Sequence, residues 1–477
     1  MKKLFTTLLF LMAVSASGQW QPDVRLTNSP WNSYTSENIA WCIASSGNDV
    51  HIVWYDDRDG NYEIYYKRSS NGGTTWGSDT RLTNDTAYSG LPAIAVSGSN
   101  INVVWEDTRN GNNEIYYKRT SDGGINWGAD TRLTYDSANS RYPSAAVTGT
   151  IVQVVWREYR DGNDEIYYKR STDGGINWGA DTRLTNNGSS SWYPSIAVFD
   201  TYVHVVWNDV RNGNNEIYYK RSTNGGINWG ADIRMTNDIA LSYKPSIAVN
   251  GLLVHIVWEE NRDQNSEIYY KRSIDGGINW GSDTRLTNSF SSSILPSIAV
   301  TGSLLHVVWT DIRDGNREIY YKRSTDDGIN WVADIRLTND GAYSEYPSIA
   351  SSGTLVHTVW NDTRDGNREI YYKRNPTGNV DIKNISLETP SKYSLSQNYP
   401  NPFNPMTNVK FSIVKSGDVK MVVYDIQGRE VRTLVNESLK PGTYEAAFDG
   451  SQLVSGVYFY KISAGDFSDT KKMVLIK

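Results

Sequence analysis

Residues 41–376 repeat one pattern of apolar and polar positions every 51 residues. Each repeat holds four short runs of β-branched and aromatic residues, separated by Gly, Asn and Asp. In the fourth copy these runs are residues 194–198, 203–207, 216–221 and 231–236. Runs of this kind predict β-strands, and no stretch shows a sustained helical period. Because such a unit cannot bury its apolar face alone, the repeats are expected to stack on one another.

Two series of tryptophans mark the repeat. The first series is Trp54, Trp105, Trp156, Trp207, Trp258, Trp309 and Trp360. The second is Trp76, Trp127, Trp178, Trp229, Trp280 and Trp331. Repeated four-stranded units predict the blades of a β-propeller, in which radial closure protects the strand edges. The predicted fold is therefore all-β, a seven-bladed β-propeller of 51-residue four-stranded blades.

The register of the repeats predicts how the ring closes. Six repeats carry a fourth strand after the third, whereas the seventh ends at residues 374–376 without one. Residues 20–28 match residues 76–84 and have no partner strands of their own. We therefore expect the N-terminal strand to complete the last blade. The alternative is an open array with a frayed end, which would leave an unpaired edge.

The connection between the third and fourth strands carries a second motif. Its third copy is Ser171-Thr-Asp-Gly-Gly-Ile-Asn-Trp178, and it resembles the Asp-box, or BNR repeat, of sialidases and other propeller families. An Asp or Asn here can cap its own turn, and the Gly permits the tight conformation. We interpret the motif as structural. Its capping residues are Asn71, Asp122, Asp173, Asn224, Asp275 and Asp326.

A different module follows the repeats. Residues 377–392 lack the repeat pattern and are predicted to be a linker, and residues 393–477 read as short strands. Asn398-Tyr-Pro-Asn-Pro-Phe-Asn-Pro405 and Gly456-Val-Tyr-Phe-Tyr460 resemble motifs of the type A sorting domain of the bacterial type IX secretion system. The resemblance implies a small β-sandwich that engages the type IX secretion machinery. The residues alone predict only a β-rich module.

The N-terminus and the composition indicate an exported protein. Residues 1–18 combine a charged start, an apolar stretch and small residues, as a secretory signal peptide does. The propeller is then expected at residues 19–376, secreted or on the outer cell surface, with no transmembrane segment in the mature chain. Cys42 is the only cysteine, so no intramolecular disulfide can form. A net charge of −6 argues against nucleic acid as a partner.

A charged group recurs in the turn between the second and third strands. An Arg lies four residues after each strand Trp and two residues after an Asp or Glu. Three alternatives are open, namely ion pairs that pin the turn, a ring that contacts ligand, and a calcium site. Arg within the turn argues against a hard cation, and we expect no metal and no cofactor. The arginines, candidates for ligand contact, are Arg58, Arg109, Arg160, Arg211, Arg262, Arg313 and Arg364.

The loops between blades vary in the two residues before their proline. The first such loop is longer and has Trp41 in place of the proline. These loops share a face with the second-to-third turns, and aromatic side chains there favour recognition of carbohydrate or another surface. Drift of exposed loops is the alternative. The candidate ligand-binding residues are Trp31, Tyr34, Arg141, Tyr142, Trp192, Tyr193, Tyr243 and Tyr346.

One repeated slot holds all five histidines. It lies three residues before the strand Trp and contains Asn102 and Gln153 in the other two blades. A slot that accepts His, Asn or Gln is interpreted as a hydrogen-bonding position and not as a catalytic base.

The sialidase resemblance does not carry catalytic residues with it. That family uses an arginine triad, an Asp acid/base and a Tyr nucleophile assisted by Glu, and its propellers are generally six-bladed. The nearest match to its Arg-Ile/Leu-Pro motif is Arg141-Tyr142-Pro143, one blade late. Catalysis needs differently tuned groups, which near-identical blades do not readily supply. We identify no catalytic residue and predict a non-catalytic propeller that binds glycans or surface polymers. The alternatives are a sialidase-type exo-glycoside hydrolase and a protein-interaction or structural surface module.

Overall fold

The computed structural model describes residues 20–36, 41–376, 382–386, 389–450 and 453–477. These residues form β-strands, turns and loops, arranged in two compact units, Gln21–Pro376 and a second unit that comprises Trp20 and the described residues from 382 to 477. Within them no helix is long and apolar enough to cross a membrane. The expected signal peptide at residues 1–18 lies outside the described residues.

Seven antiparallel sheets form the first unit. The N-terminal strand is β1 Val24–Arg25. The first blade contains β2 Ser33–Tyr34, β3 Ile43–Ser46, β4 Asp49–Asp56, β5 Glu63–Ser69 and β6 Thr80–Arg81. The second blade contains β7 Ser89–Ser97, β8 Asn100–Asp107, β9 Glu114–Thr120 and β10 Thr131–Arg132. The third contains β11 Ser140–Thr148, β12 Ile151–Glu158, β13 Glu165–Ser171 and β14 Thr182–Arg183.

The remaining blades repeat this order. The fourth contains β15 Ser191–Phe199, β16 Tyr202–Asp209, β17 Glu216–Ser222 and β18 Ile233–Arg234. The fifth contains β19 Ser242–Asn250, β20 Leu253–Glu260, β21 Glu267–Ser273 and β22 Thr284–Arg285. The sixth contains β23 Ser293–Thr301, β24 Leu304–Asp311, β25 Glu318–Ser324 and β26 Ile335–Arg336. The seventh contains β27 Ser344–Ser352, β28 Leu355–Asp362 and β29 Glu369–Asn375.

The N-terminal strand closes the ring. β1 pairs antiparallel with β29, so the strand order of the last blade is β1-β29-β28-β27. Asp23, just before β1, lies 2.8 Å from both Arg364 and Lys373 of the seventh blade. The prediction of an all-β, seven-bladed propeller closed by its N-terminal strand is confirmed.

Apolar cores lie between neighbouring blades. Trp207 is fully buried in a cluster that joins Val155 of the third blade to Ile196 of the fourth. Trp229, the tryptophan of the Asp-box-like motif in the fourth blade, packs edge-on against Tyr168 of the third, with ring centroids 5.0 Å apart. Since this arrangement recurs around the ring, each blade buries its apolar faces against its neighbours.

Each innermost strand from the second to the seventh blade begins with a bulge that the sequence did not predict. β15 starts three residues before Pro194, and its register with β16 shifts between Trp192 and Ser195. Tyr193, inside the bulge, has a left-handed φ of 50°. Such a conformation is rare for a bulky residue, and a bulge redirects the side chains around it. The same φ sign occurs at Leu91, Tyr142, Lys244, Leu295 and Tyr346.

The second unit is a β-sandwich, as the resemblance implied. Its strands are β30 Ile382–Ser386, β31 Ser394–Leu395, β32 Met406–Ile413, β33 Gly417–Tyr424, β34 Glu430–Leu439, β35 Gly442–Asp449, β36 Gly456–Ala464 and β37 Phe467–Leu475. The sheets β30-β35-β32-β31 and β34-β33-β36-β37 share one core, in which Phe411 and Met421 are fully buried. The predicted linker 377–392 differs from the structure in one respect, because β30 within it pairs with β35. This five-residue strand is too short for periodicity to distinguish from a linker.

Candidate functional site

The capping side chains of the Asp-box-like motif accept hydrogen bonds within their own turns. Asp173 Oδ1 accepts the backbone N–H of Asn177 at 2.9 Å, and Asn224 Oδ1 accepts that of Asn228 at 2.9 Å. The hydrogen bonds that Asp173 accepts, of which that from the Asn177 backbone N–H has the largest effect, lower the pKa of its carboxyl group. The same contact to the residue four positions later is made by Asn71, Asp122, Asp275 and Asp326. Each of these side chains therefore acts on its own turn.

The histidine slot is a hydrogen-bonding position, as predicted. His204 Nδ1 lies 2.7 Å from the hydroxyl of Tyr219. In the second blade Asn102 accepts the hydroxyl of Tyr117 at 2.7 Å, and Gln153 makes the equivalent contact in the third. Burial lowers the pKa of His204 to about 3, so the imidazole is neutral at physiological pH.

Ion pairs within the propeller occupy the seven repeated arginines. Arg211 lies 2.5 Å from Asp209, which is fully buried, and 2.6 Å from Asp232 at the start of the fourth strand. Its guanidinium also stacks 4.3 Å from the ring centroid of Tyr218. Corresponding carboxylate pairs hold the other arginines, and all seven side chains are only 19–25% exposed. This geometry favours the turn-pinning alternative for Arg58, Arg109, Arg160, Arg211, Arg262, Arg313 and Arg364.

Three candidate residues surround the start of the first blade. The side chain of Trp31 is 56% exposed. Tyr34 stacks on Tyr55 with ring centroids 5.1 Å apart. The backbone carbonyl of Tyr346 accepts the hydroxyl of Thr35 at 2.9 Å. The structure therefore leaves Trp31 available to solvent and packs Tyr34 into an aromatic cluster.

The candidates Arg141 and Tyr142 are bound to a buried carboxylate. Arg141 Nε lies 3.1 Å from Glu106 Oε2, and the backbone N–H of Tyr142 donates to Glu106 Oε1 at 2.6 Å. Burial raises the pKa of Glu106, and these contacts oppose that shift. The ring of Tyr142 lies 5.0 Å from that of Tyr193, so this pair forms one wall next to the cleft described below.

The other three candidates line a single cleft of about 450 Å³. Its lining residues are Arg157, Trp192, Tyr193, Tyr243, Lys244 and Glu259. They come from the third, fourth and fifth blades and lie on the face formed by the interblade loops and second-to-third turns. Trp192 is oriented by a 2.8 Å hydrogen bond from its Nε1 to Asp164. The structure thus brings aromatic surfaces, two cations and one carboxylate together.

The charges in the cleft are incompletely paired. Arg157 Nε lies 3.2 Å from Asp164, while its two terminal nitrogens have no hydrogen-bond or ion-pair partner in the described part of the chain. The Lys244 ammonium likewise has none among these residues. Glu259 accepts the backbone N–H of Leu295 at 3.0 Å. Burial raises the pKa of Tyr193, so its phenol remains protonated.

Sequence reasoning missed three residues of the cleft, Arg157, Lys244 and Glu259. Lys244 is the residue before the proline of its interblade loop, but it is not one of the aromatic or arginine positions that the sequence analysis favours. The other two follow a strand Trp directly, at a position whose variability was a usable signal. That position reads Tyr55, Glu106, Arg157, Asn208, Glu259, Thr310 and Asn361, although the strand before it is nearly constant.

The central channel offers different chemistry. Its cavity of about 190 Å³ is lined mainly by Ala and Val side chains of the innermost strands, with Trp41 at one side. No titratable side chain belongs to this lining in the described residues. Of these two cavities, the cleft is therefore the one that carries charged groups suited to ligand recognition.

Comparisons with known proteins identify the second unit and the fold of the first. Residues 397–477 match the secretion system C-terminal sorting domain. No curated protein matches the chain. Polysaccharide lyase Uly1 is similar in fold, with a TM-score of 0.53 and 8% identity over 75% of this chain and 99% of that one. Trypanosoma rangeli sialidase gives a TM-score of 0.43 and 10% identity over 94% and 88%.

Proposed function

We propose that this protein is a secreted or cell-surface propeller that binds a glycan or surface polymer without catalysis. The observation that carries the proposal is the cleft lined by Trp192, Tyr193 and Tyr243. Flat aromatic faces pack against the apolar faces of sugar rings, and the adjacent charged groups provide hydrogen bonds to polar substituents. A volume of about 450 Å³ is within the range typical of small-ligand sites.

The second unit supports the proposed location. A secretion system C-terminal sorting domain is consistent with export to the cell surface or beyond, where polymeric glycans are accessible. The fold is shared with a protein described as a polysaccharide lyase. We extend from that protein only the ligand class, a polysaccharide, and not the reaction.

A sialidase-type hydrolase would need a reactive tyrosine and a set of arginines free to bind a carboxylate. A tyrosine nucleophile needs access to the phenolate, and burial raises the pKa of Tyr193. The repeated arginines, which could otherwise contribute to a carboxylate-binding triad, are held by carboxylates of the propeller. Both observations favour binding over hydrolysis. A glycan-binding experiment separates the proposal from the alternative of a protein-interaction or structural surface module.

A glycan-array screen of the purified protein, followed by calorimetric titration of the best ligand, tests the proposal. Trp192→Ala and Tyr243→Ala are expected to weaken binding by about tenfold or more, since buried aromatic anchors contribute more than 1 kcal/mol. Tyr135→Ala is the matched control, because Tyr135 is 71% exposed and outside the cleft. Absence of binding to every glycan contradicts the proposal, and release of sugar from the array supports the hydrolase.

A further inference from the structure

A repeated hydrogen bond satisfies the backbone N–H of the residue inside the bulge at the start of an innermost strand. The acceptor is the side chain of the residue that follows the strand Trp in the preceding blade. Glu106 accepts from Tyr142 at 2.6 Å, and Glu259 accepts from Leu295 at 3.0 Å. Asn208 does the same for Lys244 at 2.9 Å. In the first blade, whose strand β2 has no such bulge, Asn361 accepts the backbone N–H of Thr35 at the equivalent position at 2.6 Å. Four of the seven junctions thus place a side-chain oxygen at one defined point.

The junction between the third and fourth blades reverses this chemistry. The residue after the strand Trp is Arg157, which has donors and no acceptor. Tyr193 keeps the left-handed φ of 50° that its equivalent Tyr142 has at 55°. Its backbone N–H meets no side-chain acceptor within the described residues. No side-chain acceptor of the described residues therefore takes the place that a carboxylate has at the neighbouring junction.

The surrounding charges favour an anion at that point. Arg157 and Lys244 line the cleft with terminal nitrogens that have no hydrogen-bond or ion-pair partner among the described residues, although the Arg157 guanidinium lies 5.0 Å from the ring centroid of Tyr142. Asp164 lies beside Arg157 Nε and also holds Trp192, while Glu259 is engaged by Leu295. These two carboxylates disfavour a second negative charge nearby, so one anionic group is directed toward Arg157 and the Tyr193 N–H.

We propose that the cleft recognises an acidic glycan, whose carboxylate or sulfate ester binds Arg157, Lys244 and the Tyr193 N–H in the place that Glu106 takes at the preceding junction. The chain's own Glu106, which joins a bulge N–H and the Arg141 guanidinium, shows the bonding that the ligand would reproduce. This inference rests on the proposed function and names its ligand class. Hydrogen bonds between ionised partners are shorter and stronger than neutral ones, so the acidic group would dominate selectivity.

The key variant is Arg157→Glu. It changes Trp156-Arg-Glu158 to the Trp-Glu-Glu sequence that the fifth blade has at residues 258–260, where Ser266 stands at the position of Asp164, so repulsion between the new carboxylate and Asp164 is expected to lower stability somewhat. The new carboxylate would cap the Tyr193 N–H and occupy the ligand position. Lys415→Glu, at an exposed position of the second unit, changes the net charge equally and serves as the control. Lys244→Gln provides an independent variant, and thermal unfolding of each protein checks folding.

The probes are polygalacturonate, its methyl ester, dextran sulfate and dextran, titrated into the full-length protein at fixed ionic strength. We expect the wild type to bind polygalacturonate or dextran sulfate at least about tenfold more tightly than the matching neutral polymer. The better of the two acidic polymers identifies the anionic group as carboxylate or sulfate. Arg157→Glu and Lys244→Gln are expected to remove this preference, and Lys415→Glu to keep it.

The outcomes separate this inference from the proposed function. Equal binding of acidic and neutral polymers by the wild type overturns the acidic-ligand inference and supports glycan binding. A preference that survives in Arg157→Glu and Lys244→Gln also overturns the inference, because the anion then binds elsewhere. If Lys415→Glu loses the preference for acidic polymers as fully as Arg157→Glu does, long-range attraction by the net charge explains that preference. This result also overturns the acidic-ligand inference. If no polymer binds and the glycan array is also blank, both the inference and the proposed function fail.

Discussion

Five buried histidines link the stability of the propeller to pH. Burial lowers the pKa of His51 to about 4 and that of His204 to about 3, and His255, His306 and His357 behave as His204 does. Above pH 6.5 the histidines are neutral in both the folded and the unfolded chain. Below pH 6.5 the histidines bind protons in the unfolded chain but stay neutral in the folded chain. The free energy of unfolding therefore decreases as the pH is lowered, until the folded histidines also become protonated.

Replacing all five histidines with glutamine should flatten the pH dependence of stability. Gln153 already fills the slot in the third blade and accepts the hydroxyl of Tyr168 at 2.8 Å, so the substitution has a native precedent. Each histidine is expected to cost the wild type roughly 1 kcal/mol per pH unit below 6.5. Urea unfolding at pH 7 and pH 5 measures the difference. An unchanged loss of stability in the glutamine variant would assign the acid sensitivity to other groups.

At the scale of the blade, the repeated arginine joins two elements. Arg211 connects the second-to-third turn, through buried Asp209, to Asp232 at the fourth strand. The fourth strand has only two paired residues, Ile233 and Arg234, and this connection adds to the ion pairs that Asp232 and Arg234 make with the third strand. The side chains that form it are repeated in every blade, which agrees with a structural role.

Arg211→Ala should destabilise the propeller without weakening ligand binding. Removing the guanidinium leaves the Asp209 carboxylate buried and without its main partner, at a cost of about 3 kcal/mol. Arg211→Lys should cost less, because it retains the charge but not the two-pronged geometry. Chemical unfolding and titration with the ligand, well below the unfolding temperature, give the two readouts. Weaker binding at unchanged stability would favour the ligand-contact alternative for the ring.

The same scale shows what the sequence could and could not predict. The 51-residue period predicts the strands, the blade and even the closing strand, because each repeat carries the same local chemistry. Trp192, Tyr193 and Tyr243 were found because they vary at a recognisable loop position. Arg157 lies 35 residues before Trp192, and only the packing of adjacent blades brings the two together. A left-handed φ is usually signalled in a sequence by Gly or Asn, and Tyr193 is neither. The sequence therefore does not predict the bulge that shapes the cleft.

At the scale of the propeller, a nearly symmetric ring carries the asymmetric cleft lined by Trp192 and Tyr243. Repetition stabilises each blade through the same interblade cores and ion pairs, whereas the residues that line the cleft differ from their equivalents in other blades and lie on the loop-bearing face. A change at Arg157 or Lys244 alters the cleft while leaving the repeated cores intact. This separation lets ligand recognition vary without changing the fold, which is the usual relation between scaffold and site.

The ring depends on a short N-terminal segment. Glu369 is fully buried and accepts hydrogen bonds from Arg25 Nη2 at 2.6 Å, from the Thr27 hydroxyl and from the Ser29 N–H at 3.1 Å. Asp23 pairs with Arg364 at the same seam. Without this segment β29 would become an open edge strand beside a buried carboxylate that has lost these donors.

Deleting residues 20–29 is therefore expected to lower the unfolding temperature of the propeller sharply and to cause concentration-dependent aggregation. Deleting residues 377–477 is the control, because that segment forms a compact unit of its own and should leave the propeller transition unchanged. Calorimetry and light scattering compare the variants with the full chain. A synthetic peptide of residues 20–32 should restore stability to the N-terminal deletion by pairing with β29. A deletion variant that unfolds like the full chain would mean that the seam contributes little, and the interblade cores alone would then hold the ring closed.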